Sequence, residues 1–242
     1  MEFDFLVPID NEIIDYKNHL SSQHIGGIMA LHTDDAFPDL SEVKIALVGV
    51  LENRGDEGVA TVVDLTSVRK SLYGLFMGNW KMGIADLGDI LAGNSTMDTY
   101  FAVKKVVASL IKKGIVPIVI GGSQDLTYAL YRAYDELEQM VNLVAIDNKF
   151  DFGKETDRLS STSYLTKMVI DSPNNLFNYC NIGYQTYYNS QEEIDIIEKF
   201  LPKQMNEAEL EAALQAIIAQ VGASSAADLG KVMGVASKQL AG

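Results

Sequence analysis

Two short apolar runs constrain this chain more than any other feature. They are Ile115-Val116-Pro117-Ile118-Val119-Ile120 and Leu143-Val144-Ala145-Ile146. Neither alternates polar with apolar, so each predicts a strand buried on both faces, as in a parallel sheet. Each run leads into a polar cluster: Gly121-Gly122-Ser123-Gln124-Asp125 after the first, Asp147-Asn148-Lys149-Phe150-Asp151 after the second. Open α/β sheets keep their ligands and chemistry at such carboxyl ends.

The rest of the chain repeats a strand–helix rhythm. Residues 43–50 form a continuous apolar strand, followed by the turn-rich loop 53–58 and a helix near 67–75. Residues 84–87 predict a short strand. Ser95 with Asp98 opens a helix that carries Met97, Tyr100, Phe101, Val106, Val107, Leu110 and Ile111 on one side. A helix from 126 to about 140 joins the two runs, and Asn181-Ile182-Gly183 ends a further strand. This alternation predicts an α/β fold with a parallel sheet between helices on both faces, a three-layer α-β-α arrangement. Residues 1–40 show no clear period and predict an arm or small helices packed on the sheet.

Residues 43–198 resemble the ureohydrolase family of arginase, agmatinase and formimidoylglutamase. That family's first motif is Gly-Gly-(Gly/Asp)-His-(Asp/Ser/Glu), for which the chain offers Gly121, Gly122 and Asp125. The second is Asp-Ala-His-x-Asp, matched here by Asp147 and Asp151. Val68-Arg69 and Asp86-Leu87-Gly88-Asp89 also resemble early segments of the family. Gln124 and Lys149 stand where the family has imidazoles, and the later Asp-x-Asp motif has no candidate. The resemblance implies an incomplete arginase-like sheet. It also implies a site for two manganese ions bridged by a hydroxide that attacks a guanidinium or formimino carbon. Carboxylates and imidazoles suit manganese, an amide is a weak ligand, and an ammonium is none. Asp147 and Asp151 therefore read as vestigial metal ligands, beside a vestigial Ser123, Gln124, Asp125 and Lys149. All three histidines, His19, His24 and His32, precede the first core strand. No cofactor is expected, and manganese only if the site is retained.

Lys149 lies two residues from each retained aspartate. On a strand all three would point one way, and its ammonium would neutralise carboxylates that are costly to bury alone. The alternative is a Lys149 that points to solvent at a strand end.

The C-terminus resembles a second family. Leu201-Pro202-Lys203-Gln204-Met205-Asn206-Glu207-Ala208-Glu209-Leu210, then Gly222-Ala223-Ser224 and Asp228-Leu229-Gly230-Lys231-Val232-Met233-Gly234, are similar to the GatB/YqeY domain, a helical module of the tRNA-dependent amidotransferase B subunit. The similarity covers residues 192–242, and that module contacts tRNA in the amidotransferase. Asn206 with Glu209 makes a capping box and Met205 with Leu210 a hydrophobic staple. Leu210, Leu214, Ile217, Ile218 and Val221 form one stripe, Gly222 ends the helix, and Ser225 with Asp228 caps a second. Residues 192–200 fit a helix in either family, so the chain is expected to be a chimera of a 1–40 arm, a 41–198 α/β domain and a 199–242 tail. A truncated sheet leaves an apolar strand edge, to be covered by the tail helices, a second copy or a partner protein.

Composition narrows the function classes. The formal net charge is −14 in 242 residues, which disfavours nucleic acid and anionic membranes. No apolar run approaches the ~20 residues that span a bilayer. The acidic Met1-Glu2-Phe3-Asp4-Phe5 start carries no signal peptide pattern. Cys180 is alone, which suits a cytoplasmic protein and favours a buried structural thiol over a nucleophile. Gly121-Gly122 lacks a following P-loop lysine, which favours a tight turn over a phosphate cradle. Asp56 and Glu57 are candidate ligands or a solvated loop, and Tyr184, Tyr187 and Tyr188 a pocket lining or packing. Trp80 is expected to anchor a loop. The leading reading is a non-catalytic ureohydrolase-like protein. The alternatives are a metal-dependent hydrolase of amidine C–N bonds and a tRNA-amidotransferase-associated module.

Overall fold

A computed structural model describes residues 3–56, 63–80, 82–154, 159–172, 174–199, 207–225 and 228–239. The chain divides into two compact units, Met1–Gln185 and Thr186–Gly242.

The first unit is built on a mainly parallel sheet. Its elements in order are β1 (Leu6–Val7), α1 (Asn11–Asn18), α2 (Ile25–Ile28), β2 (Ala30–Leu31), β3 (Val43–Leu51), α3 (Thr66–Tyr73), β4 (Gly83–Leu91), α4 (Thr96–Lys112), β5 (Val116–Ile120), α5 (Leu126–Glu136), β6 (Val141–Ile146), α6 (Tyr164–Ile170) and β7 (Leu176–Ile182). β3 sits between β4 and β5 and runs parallel to both. The segment before residue 40 holds small helices packed on the sheet, α1 and α2, and adds two strands: β1 joins β4 antiparallel and β2 joins it parallel, while Ile9, Ile13 and Met29 enter the core.

The apolar run of β3 is buried because helices cover both faces. On one side α4 and α5 bring Val103, Val106, Val107, Leu110 and Ala129 against Val48, Val50 and Leu87. On the other, Ile13 and Tyr73 pack against Leu47. α4 begins as its sequence predicts. Ser95 Oγ accepts the Asp98 N–H at 3.3 Å, and Asp98 accepts the Ser95 N–H at 2.8 Å. The face it buries is narrower than expected. Met97 and Phe101 are exposed, because they lie off the line through Tyr100, Val103, Val107 and Leu110 on a 3.6-residue helix.

The strand expected over 84–87 extends to Leu91, so Asp86, Gly88 and Asp89 lie within the sheet. A buried polar cluster forms there. Arg69 donates through Nε to Asp86 Oδ2 at 2.8 Å, and its Nη2 lies 2.8 Å from Asp89 Oδ1. Tyr73 donates to Asp86 at 2.9 Å and the Gly88 N–H at 3.1 Å. Burial pushes the Asp86 carboxyl up, against the pull of Arg69 and these donors.

The sheet is interrupted. β6 pairs in parallel with β7, and among the described residues neither pairs with β5. α5 and α6 cover one face of this ribbon through Tyr131, Tyr164, Leu165 and Met168. Its other face carries the paired positions Val144 with Cys180 and Ile146 with Ile182. All four are exposed, Ile146 at 86%. Cys180 is thus not the buried thiol expected, because the strand that carries it is covered on one side.

The second unit holds α7 (Gln191–Glu198), α8 (Glu207–Val221) and α9 (Leu229–Gln239). α8 and α9 pack through Ile217, Val232 and Ala236. Of the expected stripe, Leu210 and Ile218 are exposed. Gly222 closes α8 at φ 64°, with the Ala223 N–H reaching back to the Ile218 carbonyl. Asp228 accepts from the Ser225 backbone and hydroxyl, both at 3.3 Å. The expected Asn206 cap and Met205 staple lie outside the described residues, as do Glu57 and Phe200. Among the described residues no helix is long and apolar enough to cross a membrane.

Candidate functional site

The loops after β5 and β6 meet. Gly121 and Gly122 both adopt positive φ, 84° and 78°, which side chains rarely tolerate. This turns the chain sharply so that the Ser123 N–H reaches the Glu52 carbonyl at 2.9 Å. Ser123 is buried there and supports the turn rather than facing a cavity.

Gln124 points across to the second loop. Its Nε2 donates to Asp147 Oδ2 at 3.1 Å, and the Lys149 backbone N–H donates to Asp147 Oδ1 at 3.0 Å. Both carboxylate oxygens of Asp147 are therefore engaged by neutral donors. The Lys149 carbonyl accepts from Asn181 at 2.7 Å and the Asn148 carbonyl from the Gln185 N–H at 3.0 Å, fixing the loop to the end of β7.

The Lys149 side chain is exposed, and its ammonium pairs with neither Asp147 nor Asp151. The salt-bridge cluster among these three residues does not form, and the solvent-facing alternative holds. The reason is local. β6 ends at Ile146, so strand alternation stops before this segment. Asp147 then makes a turn with the Lys149 N–H, and Asp151 takes φ 58°. Aspartate tolerates that region better than most residues. Asp151 is buried below the loop, and its neighbour Phe150 packs on Tyr184 with ring centroids 4.6 Å apart.

Asp125 is fully buried and faces away from Asp147. It accepts from the Tyr100 hydroxyl and, at 3.1 Å, from Ser161 Oγ. Gly55 leaves the room it needs: a Cβ there would lie 1.8 Å from Asp125 Oδ1. Burial and this carboxylate push the Tyr100 phenol up. Beside it, Glu52 accepts from Arg54 Nε at 2.9 Å, from the Arg54 N–H at 3.0 Å and from Thr99 Oγ1 at 2.8 Å. Burial alone would raise the Glu52 carboxyl, but these donors outweigh it and hold it below the usual glutamate range. Tyr164 lies under Gln124, its phenol pushed up to about 12, mainly by burial.

A cavity of about 440 Å³ opens above these groups, lined by Asp56, Gln124, Asp147, Lys149, Asp151 and Thr162 among others. Among the described residues no group of three or more His, Cys, Asp or Glu could hold a metal ion. Each histidine is engaged elsewhere: His19 with Asp15, His24 with Ser21 and His32 with Leu87. The donors present do not fit a manganese pair, since Gln124 and Lys149 bring an amide and an ammonium beside Asp147 and Asp151. Tyr184 is exposed and lines no part of this cavity, and Tyr187 and Tyr188 belong to the second unit. Sequence patterns gave no signal for Tyr100, Ser161 or Arg54, because each reaches its acid from a distant or irregular segment.

Comparisons with known proteins agree with two regions. The family described as Yqey-like protein matches residues 138–242, which takes in the expected 192–242 and reaches back over β6, α6 and β7. Formimidoylglutamase of Geobacillus thermodenitrificans (strain NG80-2) is 25% identical over 182 residues, 70% of this chain and 54% of that protein. The chain thus spans about half the length of this curated relative. A crystal structure of Trypanosoma cruzi formiminoglutamase with Mn2+2 superposes with TM-score 0.60 at 17% identity, covering 77% of this chain and 68% of that one. Formimidoylglutamase from Bacillus subtilis subsp. subtilis str. 168 gives TM-score 0.57 at 16% identity, covering 68% and 55%. The chain combines an arginase-like α/β fold with a C-terminal region similar to YqeY proteins.

Proposed function

We propose that this chain is a non-catalytic ureohydrolase-like protein that acts as a binding or scaffold module. The observation that carries the reading is the contact of Gln124 with Asp147. Where a metal hydrolase needs free carboxylate lone pairs and imidazoles, an amide and the Lys149 N–H satisfy Asp147. The Trypanosoma cruzi neighbour is a crystal structure with Mn2+2, so manganese is the ion a retained site would take. A thermal melt with and without manganese tests this, because an ion bound only by the native state raises the midpoint. A cooperative melt with no shift is expected. A clear rise would favour the hydrolase reading and call for assays on guanidino and formimino substrates.

The module's partner would cover the open strands. Unpaired strand edges and exposed apolar faces invite association, and β5, β6 and β7 expose Val116, Ile118, Val144, Ile146 and Ile182. A second copy or another protein is the proposed cover. Light scattering across a dilution series tests the first: a mass that stays at one chain at every concentration leaves only a different protein.

A further inference from the structure

Another cavity lies at the amino-terminal end of the sheet, away from the Gln124–Asp147 loops. It encloses about 690 Å³ beside the starts of β3 and β4, within the range of ligand sites. Ile28, Glu42, Phe76, Met77, Trp80 and Met82 line it. Trp80, expected to anchor a loop, is 69% exposed, and Phe76 is 68% exposed.

This wall is held in place. The Ile25 N–H donates to the Leu75 carbonyl at 2.8 Å and the Met77 N–H to the Gln23 carbonyl at 2.9 Å. His24 stacks on Phe76 with ring centroids 4.5 Å apart. Backbone pairing thus presents aromatic surface that would gain free energy by burial. The chemistry of the wall is specific. Indole and phenyl faces attract cations, and thioethers adapt to irregular apolar shapes. Among the described lining residues Glu42 carries the one charge, and the chain's net charge of −14 concentrates cations around it.

We propose that this cavity binds a small organic cation of the alkylated-ammonium class, recognised by the rings of Trp80 and Phe76 and the carboxylate of Glu42. A neutral apolar ligand would leave Glu42 unused. A bare metal or ammonium ion would leave the aromatic and thioether surface wet.

Trp80 is the chain's single tryptophan, so its fluorescence reports on this cavity alone. The full chain is titrated with choline, with its neutral isostere 3,3-dimethylbutanol and with ammonium chloride. A saturable change with choline is expected, about tenfold tighter than with the isostere, the size of a partly desolvated cation–π contact. Phe76→Leu should weaken choline binding several-fold. Glu42→Gln, an exposed position whose change leaves the fold intact, should weaken choline and not the isostere. Equal affinity for choline and the isostere would overturn the proposal in favour of a plain apolar groove. So would the absence of a saturable response, or choline binding unchanged in Glu42→Gln.

Discussion

The Gln124 side-chain amide donates to the Asp147 carboxylate at 3.1 Å, joining the loop after β5 to the loop after β6. β5 and β6 are not paired with each other among the described residues. The contact therefore ties two separate sheets at their carboxyl ends. Gln124→Ala should lower stability by about 0.5–1.5 kcal/mol, the usual net value of one hydrogen bond, and toward the low end because Gln124 is exposed. Urea unfolding followed by circular dichroism measures this; a loss several times larger would mean that Gln124 does more than bridge the loops.

Arg69 holds Asp86 and Asp89 inside the sheet. Arg69→Ala leaves Asp86 without its counter-charge and should cost about 3–5 kcal/mol. Arg69→Met with Asp86→Leu removes that buried pair but leaves the part-buried Asp89 without its cation, so it should recover only part of that loss. Denaturant midpoints of the two variants decide it. A double variant no better than the single one would show that the stranded Asp89, Tyr73 and the Gly88 N–H, not the Arg69–Asp86 pair, set the energy.

Tyr100 supplies one of the donors to the fully buried Asp125. Tyr100→Phe keeps the ring and removes the donor, leaving an underused buried carboxylate. A loss of about 1–3 kcal/mol is expected from chemical denaturation. Ser161→Ala removes the second donor, from 36 residues along the chain, and should act on the same acid. The double variant should lose more or less than the sum, as residues sharing one partner do.

Glu52 gives the fold a defined acid sensitivity. Its native pKa lies below the ordinary glutamate value of about 4.3. The native state then binds fewer protons than the unfolded chain in that window. The contribution is complete above the ordinary value and is lost as pH falls through the native one. Melting temperature should drop across that range in the parent protein, and Glu52→Gln should flatten this part of the curve while lowering the plateau. A parallel pair of curves would remove Glu52 from the account.

Local sequence determined the elements whose signals are local. The unbroken apolar runs became β3, β5 and β6, but only β3 is covered on both faces: β5 exposes Val116 and Ile118, and β6 exposes Val144 and Ile146. Ser95 with Asp98 fixed the start of α4, and Gly121-Gly122 supplied two left-handed residues that few others could. Tertiary structure decided where side chains at the ends of those elements went. Lys149 sits between two aspartates in sequence, yet the strand stops at Ile146 and a turn sends it to solvent. Asp125 follows Gln124 directly, but Tyr100 and Ser161 draw it into the interior while Gln124 faces Asp147. Cys180 reads as a buried thiol and Trp80 as a loop anchor, yet both are exposed because nothing in their own unit covers them. Periodicity is written in neighbours along the chain, whereas burial and pairing depend on segments that meet only once it has folded.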